Sequence, residues 1–346
     1  MISSTAFRHV FSRGNCIHPR SRFVRLTSRC NQRCAFCNIR GDEAFDLTET
    51  EAGTLVDAAL ARDPAAVVHF TGGEPTLRRD LVRLAQRARS GGARRVFLQT
   101  NALRLATLPL ASALAAGGVT DLIVSHHAPD AARSDALTAA PGTFALTRQG
   151  IANALALGLG VWPNLVLTVA NLADGPATVR AIARDFPAVN GVILSTVQPH
   201  GLARSNGAAV VPRLAAVARS MRRTIAACDR VHLRYHLSYC ENPLCFVLAA
   251  TGERARPEEV RGYVRRRLAA NGCLRCHLLG EMAKDKTKPA RCTGCGLAEV
   301  CFGIWRAQIE IHGVREVRPV GVAGRRSRWP SGGDLRQGPA TPGAAT

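Results

Sequence analysis

The sequence is short of lysine, of acid and of aromatic residues, and it has no long apolar run. Lysine occurs only at Lys284, Lys286 and Lys288 in 346 residues. Asp+Glu number 25 against 46 Lys+Arg, and aromatics make up 5%. No uncharged apolar stretch reaches the ~18 residues of a membrane-spanning helix, so no membrane segment is expected. The N-terminus lacks a compact apolar core of the secretory kind, so a cytoplasmic location is expected and a disulfide framework is not. Low hydrophobicity, the mark of global disorder, is also missing: 47% of residues are hydrophobic.

What is abundant is arginine. It carries nearly all of the formal charge of +21 and is spread along the chain, as at Arg78, Arg79, Arg83, Arg87 and Arg89. Such spreading fits solvated helix faces and a GC-rich coding bias, so nucleic acid is not the expected partner. Residues 1–41 hold eight Arg and no acid, which resembles a transit peptide, but arginine is dense elsewhere too.

At ~150 residues per domain, the length allows two or three domains. Short β-branched runs at 23–26, 67–70, 95–98, 122–124, 161–169 and 192–196 alternate with Leu/Ala-rich stretches of helical period, as at 49–61, 80–88 and 143–157. Alternation at this spacing predicts parallel β/α units. Six of them suit an α/β fold, a partial (β/α)6 TIM-like barrel or else a doubly wound sheet, and the barrel is the expected form. Beyond Cys228 strands are hard to find. The expected organisation is an extension at 1–20, the barrel at 21–230, a small Cys-rich C-terminal region at 231–320 and a disordered Gly/Pro-rich tail at 321–346.

Twelve cysteines without a secretory context point to metal. Cys30, Cys34 and Cys37 form C-x3-C-x2-C directly after the first predicted strand. Three thiolates in one loop hold three corners of a 4Fe–4S cube and leave one iron open. Zinc needs a fourth protein ligand and usually draws on two separated pairs. The second motif, Thr71-Gly72-Gly73-Glu74-Pro75, follows the second strand.

Together, the C-x3-C-x2-C loop with Phe36 before its last cysteine and the Gly-Gly-Glu-Pro segment resemble the radical S-adenosylmethionine (SAM) superfamily. The resemblance implies that Cys30, Cys34 and Cys37 hold a SAM-binding 4Fe–4S cluster. It implies that Gly72, Gly73, Glu74 and Pro75 meet the amino group of SAM, with Phe36 beside it. A bulky residue at Gly73 is then expected to weaken SAM binding while iron is retained. Polar clusters recur at later strand ends: Gln99 and Asn101, Ser125 with His126 and His127, Thr168 with Asn171, and Gln198 with His200. In a parallel barrel all of these lie on one face. The resemblance implies that Ser125 and Gln99 or Asn101 contact the SAM ribose and carboxylate. Asn101 and Asn171 fit turn capping equally well, and each of the two histidines suits a substrate-facing or a core place.

The downstream cysteines resemble part of the SPASM and twitch extensions of radical SAM maturases. Cys292, Cys295 and Cys301 form C-x2-C-x5-C, and Pro243-Leu244-Cys245 precedes them. The resemblance implies one auxiliary 4Fe–4S cluster on Cys245, Cys292, Cys295 and Cys301, with zinc as the alternative. Cys240, Cys273 and Cys276 are left over, for that cluster, a second one or zinc. Cys16 and Cys228 stand alone and read as core or incidental.

The expected function is reductive cleavage of SAM to a 5′-deoxyadenosyl radical and hydrogen abstraction from a substrate, with modification of a ribosomally made peptide favoured. Sugar, aminocyclitol and RNA substrates are the alternatives. A zinc-stabilised nucleic-acid binder is the alternative of another class. Expected partners are an electron donor such as flavodoxin or ferredoxin and the substrate.

Overall fold

The computed structural model describes residues 21–39, 44–63, 66–237, 242–252, 257–270 and 284–321. Cys16, Cys240, Cys273 and Cys276, the extension at 1–20 and nearly all of the tail lie outside them.

Seven parallel strands form one sheet in chain order: β1 Ser21–Thr27, β2 Val67–Gly72, β3 Arg95–Thr100, β4 Asp121–Ser125, β5 Gly160–Leu167, β6 Val192–Thr196 and β7 Tyr235–Leu237. β1 and β7 are the two edges, so the barrel is partial. The helices between strands are α1 Glu49–Arg62, α2 Leu81–Ser90, α3 Leu108–Ala116, α4 Ala131–Thr138, α5 Thr143–Ala156, α6 Gly175–Asp185, α7 Gly201–Asn206 and α8 Leu214–Arg230. Parallel neighbours need such crossovers, and the helices cover the outer face of the sheet. α1 starts where the sequence permits it: Thr48 and Glu51 form a reciprocal capping box.

Period-2 alternation sorts the strand residues. Val24, Leu26, Val68, Phe70, Leu98, Leu122 and Val124 face the helices and are buried in the main core. Val67, Phe97, Ile123 and Ile193, with Trp162 against them, form a second cluster inside the barrel. Phe23 stacks on His69 at 4.4 Å between ring centroids, and His69 lies 5.7 Å from Phe97. Together these side chains form a plug inside the barrel.

The structure adds a seventh strand to the six expected. β7 is three residues long and pairs with β6 through Val192–Leu194, too short for periodicity to reveal. It is followed by α9 Leu244–Thr251 and α10 Pro257–Ala270, the short antiparallel pair β8 Lys286–Thr287 and β9 Ile304–Trp305, and α11 Arg306–His312. α9 is buried nearly all round, through Leu244, Phe246, Val247, Leu248, Ala249 and Ala250, as an apolar helix must be. Its side chains, and those of Val260, Leu297, Val300, Ile304 and Val317, belong to the same core as the barrel. The apolar core therefore runs unbroken across residue 230. Among the described residues no helix is long and apolar enough to cross a membrane.

Candidate active site

The C-terminal strand ends open into one cleft of about 240 Å³. β1 leads straight into the cysteine loop, and Cys30, Cys34, Phe36 and Cys37 all line this cleft. The loop is held by partners from distant segments. The Arg33 N–H donates to the Thr138 carbonyl (2.8 Å), and the Ala203 N–H donates to the Cys37 carbonyl (3.1 Å). Asn206 Nδ2 donates to the Ala35 carbonyl (2.8 Å), and Asn38 Nδ2 to Gln198 Oε1 (2.7 Å). The Phe36 ring meets His127 edge-on at 5.2 Å. The N–H groups of Gln32 and Ile39 point at the sulfurs of Cys30 and Cys37, at 3.5 and 3.4 Å. Three thiols on the rim of one cleft, two of them already receiving N–H groups, fit the cluster that the motif implies.

The Gly-Gly-Glu-Pro turn sits beside this loop. Gly72 and Gly73 line the cleft. Gly73 N–H donates to the Thr27 carbonyl (2.6 Å) and Glu74 N–H to the Arg29 carbonyl (2.7 Å). The glycines are thus what lets the end of β2 lie against the cysteine loop. Glu74 is turned into the protein and is 1% exposed. Its Oε1 accepts from the Thr76 N–H (3.0 Å), the Thr76 hydroxyl (2.6 Å) and the Thr100 hydroxyl (2.7 Å), and its Oε2 from the Asn101 N–H (2.7 Å). Burial pushes this carboxyl's pKa up, against the hydrogen bonds that favour its ionised form. These bonds make a clasp between the ends of β2 and β3, and Glu74 also lines the cleft. Pro75 is buried at the start of a 3-10 turn, Pro75–Leu77, and is not part of the cleft lining.

Gln99, Asn101 and Ser125 all line the cleft. Gln99 Oε1 accepts from the Thr71 hydroxyl (3.2 Å), and Asn101 Nδ2 donates to Asn31 Oδ1 in the cysteine loop (2.7 Å). Asn101 also takes the Leu103 N–H on its Oδ1 (3.2 Å), so it caps a turn and braces the loop together. Asn171 is wholly buried and caps the end of β5, donating to the carbonyls of His127 and Val166 (both 2.9 Å). The paired histidines separate: His127 lines the cleft, whereas His126 stacks on Phe144 behind it, at 5.5 Å. Burial lowers the His127 pKa to about 4 and the His126 pKa to about 3, so both are neutral near pH 7.

Arg25, Asn164 and Arg78 are among the residues that escaped the sequence reading. Arg25 and Asn164 line the cleft; strand alternation alone would have placed them on the same face as Phe23 and Ser125. Arg78, expected on a solvated helix face, is 8% exposed. It donates to the carbonyls of Leu26 (3.3 Å) and Leu47 and bridges Asp46 and Asp80. Asp46 in turn pairs with Arg29 at 2.8 Å, next to Cys30. Arg83 and Arg87 do behave as expected, in exposed pairs with Glu49 and Asp57.

Below the main core, Cys245, Cys292, Cys295 and Cys301 line a separate small cavity of about 20 Å³. The N–H groups of Leu244 and Gly303 donate to Cys301 Sγ, both at 3.4 Å. Burial pushes the Cys245 thiol up to about 12, and its three neighbours add to the shift. Cys292 is raised by burial and by Cys295 and Cys301. Four thiols gathered on one cavity are a donor set that fits a cationic cluster or ion. Among the described residues no three His, Cys, Asp or Glu side chains are arranged to hold a single metal ion.

The parallel sheet, the thiol-rimmed cleft and the glycine turn define a class of protein. Residues 24–175 match the family model described as the Radical SAM superfamily. Among particular proteins, it is 35% identical over 139 residues to a probable GTP 3',8-cyclase of Saccharolobus islandicus, covering 39% of this chain and 44% of that protein. It is 30% identical over 224 residues to a PqqA peptide cyclase of Rhodopseudomonas palustris, covering 64% of this chain and 58% of that one. The chain thus spans about half the length of the curated relatives it matches. The fold is also that of SuiB from Streptococcus suis, solved with its precursor peptide SuiA, at a TM-score of 0.54 and 14% identity over 73% of this chain and 55% of that one.

Proposed function

We propose that the protein binds a 4Fe–4S cluster on Cys30, Cys34 and Cys37, takes SAM into the cleft beside it, and modifies a peptide substrate. The observation that carries this reading is the convergence of the three thiols, Gly72, Gly73 and the strand-end polar groups on one cleft. When bound together, cluster and SAM supply one-electron cleavage of SAM and a 5′-deoxyadenosyl radical for hydrogen abstraction. The chain's own residues bind, orient and shield. Gln99, Asn101 and Ser125 offer hydrogen bonds to the ribose and carboxylate of SAM. Phe36 and His127 wall the cleft, and the plug of Phe97, Ile123, Ile193 and Trp162 excludes water from below.

Cys245, Cys292, Cys295 and Cys301 hold an auxiliary 4Fe–4S cluster in this reading, supported by their shared cavity. The electron donor is a small reductant such as flavodoxin or ferredoxin. The peptide assignment draws support from the peptide cyclase relative. Anaerobic protein reconstituted with iron and sulfide tests the reading: given SAM and dithionite, it should release 5′-deoxyadenosine. Release at the same rate from the variant with all three of Cys30, Cys34 and Cys37 changed to Ala would remove it.

A further inference from the structure

The interior of the cleft holds a pattern that the cofactor chemistry leaves unused. Phe23 and Arg25 of β1 both line the cleft. Register sets Arg25 beside Thr71 of β2, whose hydroxyl donates to Gln99 of β3. On the facing wall the Ser195 hydroxyl donates to Asn164 Oδ1 at 2.7 Å. Arg25 lies two residues before the end of β1, about 7 Å deeper at ~3.3 Å per residue. Its backbone therefore lies below the cysteine loop, near the floor where Phe23 stacks on His69, and its side chain is exposed in the open cleft.

The charge pattern is lopsided. The chain has 46 Lys+Arg, yet among the described residues Arg25 is the sole Lys or Arg lining the cleft. Among the described residues the one carboxylate there, Glu74, is buried and clasped by four donors. Among the described residues no acidic side chain pairs with Arg25. A lone guanidinium among neutral polar groups complements one compact anion, and its fork matches a carboxylate bidentately. A triphosphate or a nucleic-acid backbone would bring several charges into a cleft with one cation, and the rest would be desolvated without compensation.

We infer, on the reading that this cleft takes SAM and a substrate, that Arg25 determines specificity by binding a substrate carboxylate, so that the substrate is a carboxylate-bearing molecule such as a peptide. Phenylglyoxal footprinting of the full-length protein, read at Arg25 by mass spectrometry with SAM present, tests this without requiring turnover. N-acetylglutamate amide mimics an acidic side chain and N-acetylglycine a chain terminus. Slower modification of Arg25 by one of them, but not by N-acetylglutamine amide, is expected and tells the two carboxylate sources apart. By calorimetry, Arg25→Gln should lose binding of the effective acid while its Kd for SAM stays within about twofold, less than 0.5 kcal/mol. Protection by SAM alone would assign Arg25 to the cofactor's own carboxylate and overturn the inference. Protection by GTP but by neither acid, or no protection at all, would overturn it as well. The radical SAM reading fails separately, by absent iron or absent SAM cleavage in the same preparation, whatever the footprint shows.

Discussion

At Gly73 one methyl group decides whether the cysteine loop can sit where it does. A Cβ there would lie 2.2 Å from the Arg29 carbonyl oxygen, and at Gly72, with φ +133°, it would lie 2.4 Å from that of Thr27. Both clashes are with backbone, which cannot swing aside. Gly73→Ala should therefore lower iron content and SAM binding together, reversing the expectation of intact iron; iron and sulfide analysis after reconstitution would contradict this by finding a full cluster. Glu74→Gln places an NH₂ group where donors already converge, leaving at least one buried donor unmatched. It should cost about 2 kcal/mol, read as a drop in urea midpoint, and an unchanged midpoint would refute the clasp. Residue types and places at this turn were legible in the sequence. Which atoms they face was not, because Thr100 and Asn101 arrive from another strand 26 and 27 residues later.

At the scale of elements, strand alternation is the rule that sorted the candidates. It sends His127 into the cleft and His126 outward between Phe144 and Phe186. His126 Nε2 is buried with no hydrogen-bond partner, and burial lowers its pKa to about 3. The unfolded chain takes up a proton near pH 6.5, whereas the folded one does so only near 3. His126 neutrality thus favours the folded state fully above pH 6.5, and this contribution is lost as pH falls toward 3, by about 1.4 kcal/mol per unit. His126→Phe should flatten the fall in denaturation midpoint between pH 6.5 and pH 4.5 by that amount; an identical slope in both proteins would show that another group governs it. The six longer strands were legible because each is an apolar run ending in polar residues. β7 and α9 were not, since three residues carry no period and an all-apolar helix has no distinguishing face.

For the molecule as a whole, two cysteine sets occupy two separate cavities. The variant lacking Cys30, Cys34 and Cys37 should then keep about four irons, the content of one cluster with four thiolates. Stoichiometric zinc in its place would make the second site structural, and an absence of metal would leave a bare barrel. The sequence located both sets through spacing alone. It could not show that they share a continuous core, because burial of Val260, Leu297 and Val317 against the barrel is a property of packing and leaves no periodic trace. The arginine excess also resolved by place: most of it lies outside the cleft, and Arg78, grouped with the solvated ones, is a buried brace.

That brace and its companions have a consequence in time. The carbonyl of Ala35 is held by Asn206, 171 residues further along, and that of Cys37 by Ala203. Chains emerge from the ribosome at roughly 5–20 residues per second, so about 10–35 s separate the appearance of the thiols from that of their scaffold. During that interval Cys30, Cys34 and Cys37 lack the frame that later orients them. On the proposed reading that this loop holds a cluster, its iron is expected to load only after synthesis has passed Asn206.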